Sequence, residues 1–181
     1  MPTLQEIKEI KIEPMDNIDL KYYLGDSLRL LTYNEMGKYN SIDELLPNDK
    51  DYIILLYPVV SEINGHYSML YRLDNIIYYA DSYGLEVDEP LSFSEKFKNT
   101  PKKLSHLLDD SSLQIYYNTV CFQNKKNTKI STCGSYSVFF ILVMKELNGN
   151  LGDAIKLLEE LKREKPHLTY DDIVVQFINK R

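Results

Sequence analysis

Two cysteines and three histidines supply the soft nucleophiles and near-neutral bases of this 181-residue chain. One of them, Cys133, stands in "ISTCGSYSVFFILVM", at the opening of a long apolar stretch of helical length. A helix start offers unpaired backbone N–H groups and the positive end of the dipole, both of which favour a thiolate. Cys133 is therefore a candidate nucleophile. The plainer reading is a small apolar side chain at a helix start, as most free cysteines are. Gly134 directly after it adds weight to the first reading. Lacking a Cβ, it would let a substrate carbonyl approach the sulfur and its backbone amide.

A thiol nucleophile needs a proton acceptor, and the acceptor needs a group that orients it. His106 lies on a polar helix candidate and His167 follows Pro166 in a loop, so both read as ordinary surface. His66 opens a strand directly after Gly65, where its ring can project from a sheet edge while the strand behind it stays rigid. Downstream, "IIYYADSYG" is a strand built for burial that nevertheless ends on a carboxylate, Asp81. If 67–73 and 76–80 pair as a hairpin about Asp74-Asn75, Asp81 falls opposite Ser68, beside the His66 end of the neighbouring strand. There it would hold the imidazole and support its charged form. The alternative is a solvated acid capping the "DSYG" bend. Attack on an acyl carbon also needs a donor for the oxyanion. Gln123, between a strand and the loop to Cys133, is the best placed, with the Cys133 backbone N–H as a second donor; Gln114, Asn118 and Asn124 are nearby amides.

These residues need elements to carry them. "TLQEIKEI" sets Leu4 and Ile7 at helical spacing, Asp19 to Leu24 reads as a short helical turn, and "SIDELL" reads as a capping box of Ser41 and Glu44. Strands are expected at 52–57, 67–73, 76–80 and 113–120, with a helix at 102–109 before the last. Cys133 to Leu147 reads as a buried central helix ending at "NGN", with Gly149 in the left-handed cap. "LGDAIKLLEELKRE" is amphipathic, and Thr169 with Asp172 starts a closing helix through Ile178. Strands in the middle and helices at both ends make an α+β fold, a mixed or antiparallel sheet of four or five strands packed on the helix that starts at Cys133.

Length and the lack of repeats or Gly/Ser linkers point to one domain, 1–181. A net charge of −6 without an arginine-rich block argues against nucleic acid as a main partner. The basic cluster "NKKNTK" at 124–129 reads as a solvated loop. Two cysteines make no disulfide framework, which suggests a reducing compartment, and the apolar run "VFFILVM" is too short to span a bilayer. A soluble protein is the expectation.

The order His66, Asp81, Gln123, Cys133 resembles the adenovirus proteinase (adenain) and ubiquitin-like (SUMO) protease clan. It does so in three pieces, "NGHYSML", "YYADSYG" and "FQNKKNTKISTCGSYSVFFIL", spanning about residues 50 to 147. Within the clan, the "YIILLYP" strand before the histidine is most similar to maturation proteases of virophages, Polinton-like elements and large DNA viruses. The resemblance implies a cysteine endopeptidase in which Cys133 attacks, His66 moves the proton, Asp81 orients His66 and Gln123 binds the oxyanion. Gly65 and Gly134 would line the substrate, and no metal or other cofactor would be needed. It implies capsid or scaffold precursors as substrates, cut near small residues such as Gly-x-Gly, in the host-cell virus factory and in the virion. Two features depart from the clan: Tyr67 stands where a tryptophan is common, and the loop from Gln123 to Cys133 is longer than usual. The acidic balance argues against adenain's DNA cofactor, and any activating peptide stays open. So do two other readings: a deconjugating protease for ubiquitin-like tags, and an inactive relative that binds a protein partner in the old groove.

Overall fold

A strand with apolar side chains on both faces must be covered on both faces, and "YIILLY", "YSMLYRL" and "IIYYA" all have that character. The computed structural model of the chain, which describes residues 3–61, 64–123 and 130–179, meets that requirement with a five-stranded mixed sheet between two helical layers. The strands are β1 (Arg29–Thr32), β2 (Tyr52–Ser61), β3 (Asn64–Leu73), β4 (Ile76–Asp81) and β5 (Gln114–Tyr117), side by side in chain order. The central pairs β2–β3 and β3–β4 are antiparallel, and the outer pairs β1–β2 and β4–β5 are parallel. Among the described residues seven α-helices accompany them: α1 (Leu4–Ile12), α2 (Asn17–Leu24), α3 (Ile42–Leu45), α4 (Lys103–Asp109), α5 (Cys133–Leu147), α6 (Leu151–Glu164) and α7 (Tyr170–Ile178).

Alternation along the strands sorts the core into two clusters. Ile54, Leu56, Met69, Tyr71, Tyr78 and Ala80 pack under α5 together with residues of α6 and α7. Ile53, Leu55, Leu70, Ile77 and Tyr79 face the other way, toward α3, α4 and the two short 3₁₀ turns Tyr33–Lys38 and Glu89–Phe93. Residues 134 to 141 of α5 are all buried, which is why that helix reads as apolar nearly all round.

The hairpin holds the register that its turn dictates. Leu73 pairs with Ile76 around Asp74-Asn75, Asp74 takes the positive φ of 51°, and Ser68 faces Asp81. Several local expectations shift. β3 starts at Asn64, so His66 lies within the strand and pairs with Tyr57. β5 stops at Tyr117 because the Asn118 side chain takes over the pairing with Asp81. α2 begins at Asn17, two residues before Asp19, because Asp16 accepts from the N–H groups of Ile18 and Asp19. At α3 Ser41 accepts from the Glu44 N–H, but the Glu44 carboxylate reaches back to the Asn40 N–H, one residue past the Ser41 N–H that a reciprocal box needs. Asn148, with φ 45° and ψ 38°, takes the left-handed cap of α5 in place of Gly149. The four-residue β1 and both 3₁₀ turns have no counterpart in the sequence reading. The "NKKNTK" loop lies outside the described residues.

Candidate active site

Asp81 and His66 meet through strand geometry alone. Asp81 is the cross-strand partner of Ser68, and His66 is two residues from Ser68 on the same face of β3, so the carboxylate and the ring are diagonal neighbours. The Asp81 Oδ2 to His66 Nε2 distance is 2.5 Å, with the acid fully buried and the histidine nearly so. Bonding through Nε2 leaves Nδ1 as the ring nitrogen for a second partner, and Cys133 lines the same cleft as His66, near enough to act on the charge of the ring. Burial alone would lower the basicity of His66. The charge and hydrogen bond of Asp81, joined by Cys133, outweigh it and push its pKa up to about 10. The ring thus carries a proton at neutral pH, between a carboxylate and a sulfur.

Asp81 uses its second oxygen locally, accepting from the Tyr83 N–H at 2.7 Å. The carboxylate thus touches both the ring and the "DSYG" bend, but it is buried and not solvated as the turn-acid alternative has it. Its backbone is clamped by Asn118, whose Oδ1 accepts from the Asp81 N–H and whose Nδ2 donates to the Asp81 carbonyl, both at 2.7 Å. A side-chain amide here reproduces the pair of bonds that another residue of β5 would have made.

Gln123 is buried in the same neighbourhood, and its orientation follows from its partners. Ser82 Oγ donates to Oε1 at 2.8 Å, so the amide nitrogen must face the other way, where one N–H reaches the Ile130 carbonyl at 3.2 Å. The amide nitrogen carries a second hydrogen. The Gln123 backbone N–H is fixed to the Ser82 carbonyl. Of the other amides weighed for this position, Asn118 is engaged with Asp81 and Asn124 lies outside the described residues.

Cys133 is partly exposed at the first residue of α5. The first intrahelical bond runs from the Tyr136 N–H to the Thr132 carbonyl, so the amides of residues 133 to 135 are the orphan donors of the helix start. Cys133, His66, Gln123 and Gly65 line one open cleft of about 370 Å³, together with Tyr67, Tyr83, Phe93 and Met15. Burial, with a smaller contribution from the charge on Cys133, pushes the Tyr67 and Tyr83 hydroxyls up to about 12. Neither is a base at neutral pH. Among the described residues no group of three or more His, Cys, Asp or Glu side chains is placed to hold a metal ion.

Both glycines also have a packing role that the sequence does not show. Gly65 lines the cleft, yet a Cβ there would stand 1.9 Å from the Tyr57 carbonyl oxygen. Its smallness thus serves the close approach of β2. Gly134 is buried beneath the cleft wall, where a Cβ would meet Met15 at 3.1 Å and Tyr67 at 3.4 Å, so it accommodates that wall. His106 and His167 are exposed, as expected. Sequence reasoning passed over Ser82, Tyr83, Phe93 and Met15. The first two stood in view within "DSYG", while nothing local to the sequence points from Phe93 or Met15 to this cleft.

Taken as chemistry, a thiol beside an imidazolium that is held by a buried carboxylate can exist as a nucleophilic ion pair, with amide donors on either side for developing negative charge. The chain is 30% identical over 146 residues to the uncharacterized protein V9 of Sputnik virophage, a match covering 77% of this chain and 82% of that protein. It belongs to the V9 family. No protein-family model matches the chain. The V9 match ties the sequence to virophages, and among the described residues no helix is long and apolar enough to cross a membrane.

Proposed function

We propose that the protein is a cysteine endopeptidase of the adenain and ubiquitin-like protease type, and that it matures virophage structural precursors. Cys133 attacks the scissile carbonyl as the thiolate. His66 keeps the proton taken from sulfur and delivers it to the leaving amine, and Asp81 supports the imidazolium. The Gln123 amide and the Cys133 backbone N–H receive the oxyanion. Water then enters, His66 takes its proton, and the acyl-sulfur bond breaks to release the carboxylate product.

The observation that carries this reading is the buried His66, bonded to Asp81 and lining one cleft with Cys133 and Gln123. The substrate assignment rests on the clan resemblance and on the virophage relative. Recombinant protein incubated with a Gly-x-Gly peptide from a virophage capsid precursor is expected to cut it, and Cys133→Ala to abolish the cut. Equal cleavage by both would end the proposal. Turnover of a ubiquitin-like fusion in place of the capsid peptide would move the assignment to deconjugation.

A further inference from the structure

We propose that the groove between Tyr67 and the start of α2 is a substrate subsite that takes a basic side chain, lysine or arginine, from a residue flanking the scissile bond. The inference deepens the proteolytic reading and rests on it for naming the occupant a substrate. This second groove, of about 350 Å³, adjoins the cleft of Cys133 and His66, and both are lined by Pro14, Met15, Gly65 and Tyr67. What the second adds is the start of α2, with Asp16, Asn17 and Ile18. A polypeptide seated at Cys133 thus has an open course past Tyr67.

Tyr67 is only 5% exposed, yet its hydroxyl has no hydrogen-bond partner among the described residues. Burial, with the negative charges of Cys133, Asp16 and Asp19, keeps it a neutral phenol at physiological pH, and its oxygen can accept from an ammonium or guanidinium N–H. The same charges would attract that cation. Asp16 gives Oδ1 to the N–H groups of Ile18 and Asp19, which leaves Oδ2 without a donor among the described residues. No cation neutralises it there, because the lysines on α1 and α2 that form ion pairs, Lys11 and Lys21, are taken by Asp172 and Asp26. Pro14, Met15 and Ile18, the last 77% exposed, offer apolar surface to the aliphatic stem of a long basic residue. A wholly apolar occupant would cover the phenol and the Asp16 carboxylate without satisfying either, and an acidic one would be repelled.

The test uses the full chain and an uncharged Gly-x-Gly peptide in which a single lysine, leucine or glutamate is placed in turn at each position on either side of the cut. Cleavage by the wild type and binding to Cys133→Ala, followed by fluorescence anisotropy, are measured side by side, so recognition is read with and without catalysis. At one position lysine should exceed leucine by about fivefold, the scale of a partly exposed ion pair, and glutamate should fall below leucine. The advantage should shrink in about 0.5 M NaCl. Asp16→Asn keeps the helix cap and should bring the lysine-to-leucine ratio close to one. Tyr67→Phe keeps the ring and should lower the ratio by about twofold. Asp26→Asn removes one charge outside the groove and should keep the wild-type ratio. Leucine matching lysine at every position would overturn the inference. So would an equal lysine advantage at all positions, or one that survives in Asp16→Asn, because general attraction to a protein of net charge −6 needs no subsite. If Asp16→Asn does not fold, Tyr67→Phe carries the same test. A position-specific lysine preference in binding by a protein that cuts no peptide would uphold the subsite and sink the protease reading alone, and cleavage without any preference would do the reverse.

Discussion

At the scale of the residue, Asp81 does two jobs with two oxygens, and the consequences separate cleanly. Replacing it by asparagine keeps an acceptor for the Tyr83 N–H but removes the charge that offsets the desolvation of His66. The imidazole should then lose its proton near neutrality, and kcat/KM should fall by roughly 10²–10⁴-fold with little change in the far-UV spectrum. A loss below about threefold would mean that Asp81 is only a turn acid. The same pairing sets a pH dependence of stability. The folded pKa of His66, about 10, lies above its ordinary 6.5, so the folded state binds this proton more tightly than the unfolded chain. The stabilisation is complete below about pH 6.5 and is lost as pH rises through 10. Urea midpoints of the wild type should decline across that window, and those of His66→Gln should decline less. Parallel curves would contradict the assignment.

At the scale of the element, the site is the end of a β-hairpin held in register, and that is why so much of it is legible in the sequence. The two-residue turn at Asp74-Asn75 fixes the pairing of the two strands, which places Asp81 opposite Ser68 before any tertiary contact is known. The start of α5 is legible for a similar reason, since an apolar run of helical length has few places to begin. What the sequence hides is whatever depends on edges and packing. β1 is four residues long and half-buried throughout, too short for a period to show. Gly134 is small because Met15, from the link between α1 and α2, packs onto it. Asn118 looked like a substitute for Gln123 and proves to be the end of the β5 ladder. Its replacement by alanine should cost about 1–3 kcal/mol in urea unfolding, because two buried backbone groups of Asp81 lose their partners. Activity should drop with it, since the same bonds seat the carboxylate. Gly65→Ala tests the strand pairing itself. With the Tyr57 oxygen 1.9 Å from the new methyl group, β2 and β3 must part near His66, and the variant should lose at least about 2 kcal/mol or fail to fold. Wild-type stability in that variant would refute the close approach.

At the scale of the whole molecule, the nucleophile is held by the two ends of the chain. Ser131 donates its N–H to the Lys11 carbonyl at the close of α1 at 2.7 Å, and Lys11 pairs with Asp172 of α7 at 2.7 Å. Thr132, the residue before Cys133, donates its hydroxyl to Asp171 of α7 at 2.5 Å. The helix that presents Cys133 is thus tied to the first and last helices of the described chain, neither of which contributes a side chain to the proposed chemistry. Asp171 is the strained member of this tie. Burial raises its pKa above the usual carboxylate value, against the Thr132 hydrogen bond and the Lys11 charge, which lower it. A carboxylate whose folded pKa is raised destabilises the fold once it ionises, so its contribution worsens as pH rises from the unfolded value through the folded one. Two substitutions separate charge from hydrogen bond. Asp171→Asn still accepts from Thr132 and no longer buries a charge, so at neutral pH it should leave stability unchanged or raise it. Asp171→Ala leaves the buried Thr132 hydroxyl without this acceptor and should cost about 1–3 kcal/mol, with slower alkylation of Cys133 as the helix start loosens. If the asparagine variant is as unstable as the alanine variant, the charge itself holds the two ends of the chain together, and its attraction to Lys11 outweighs the desolvation that burial imposes.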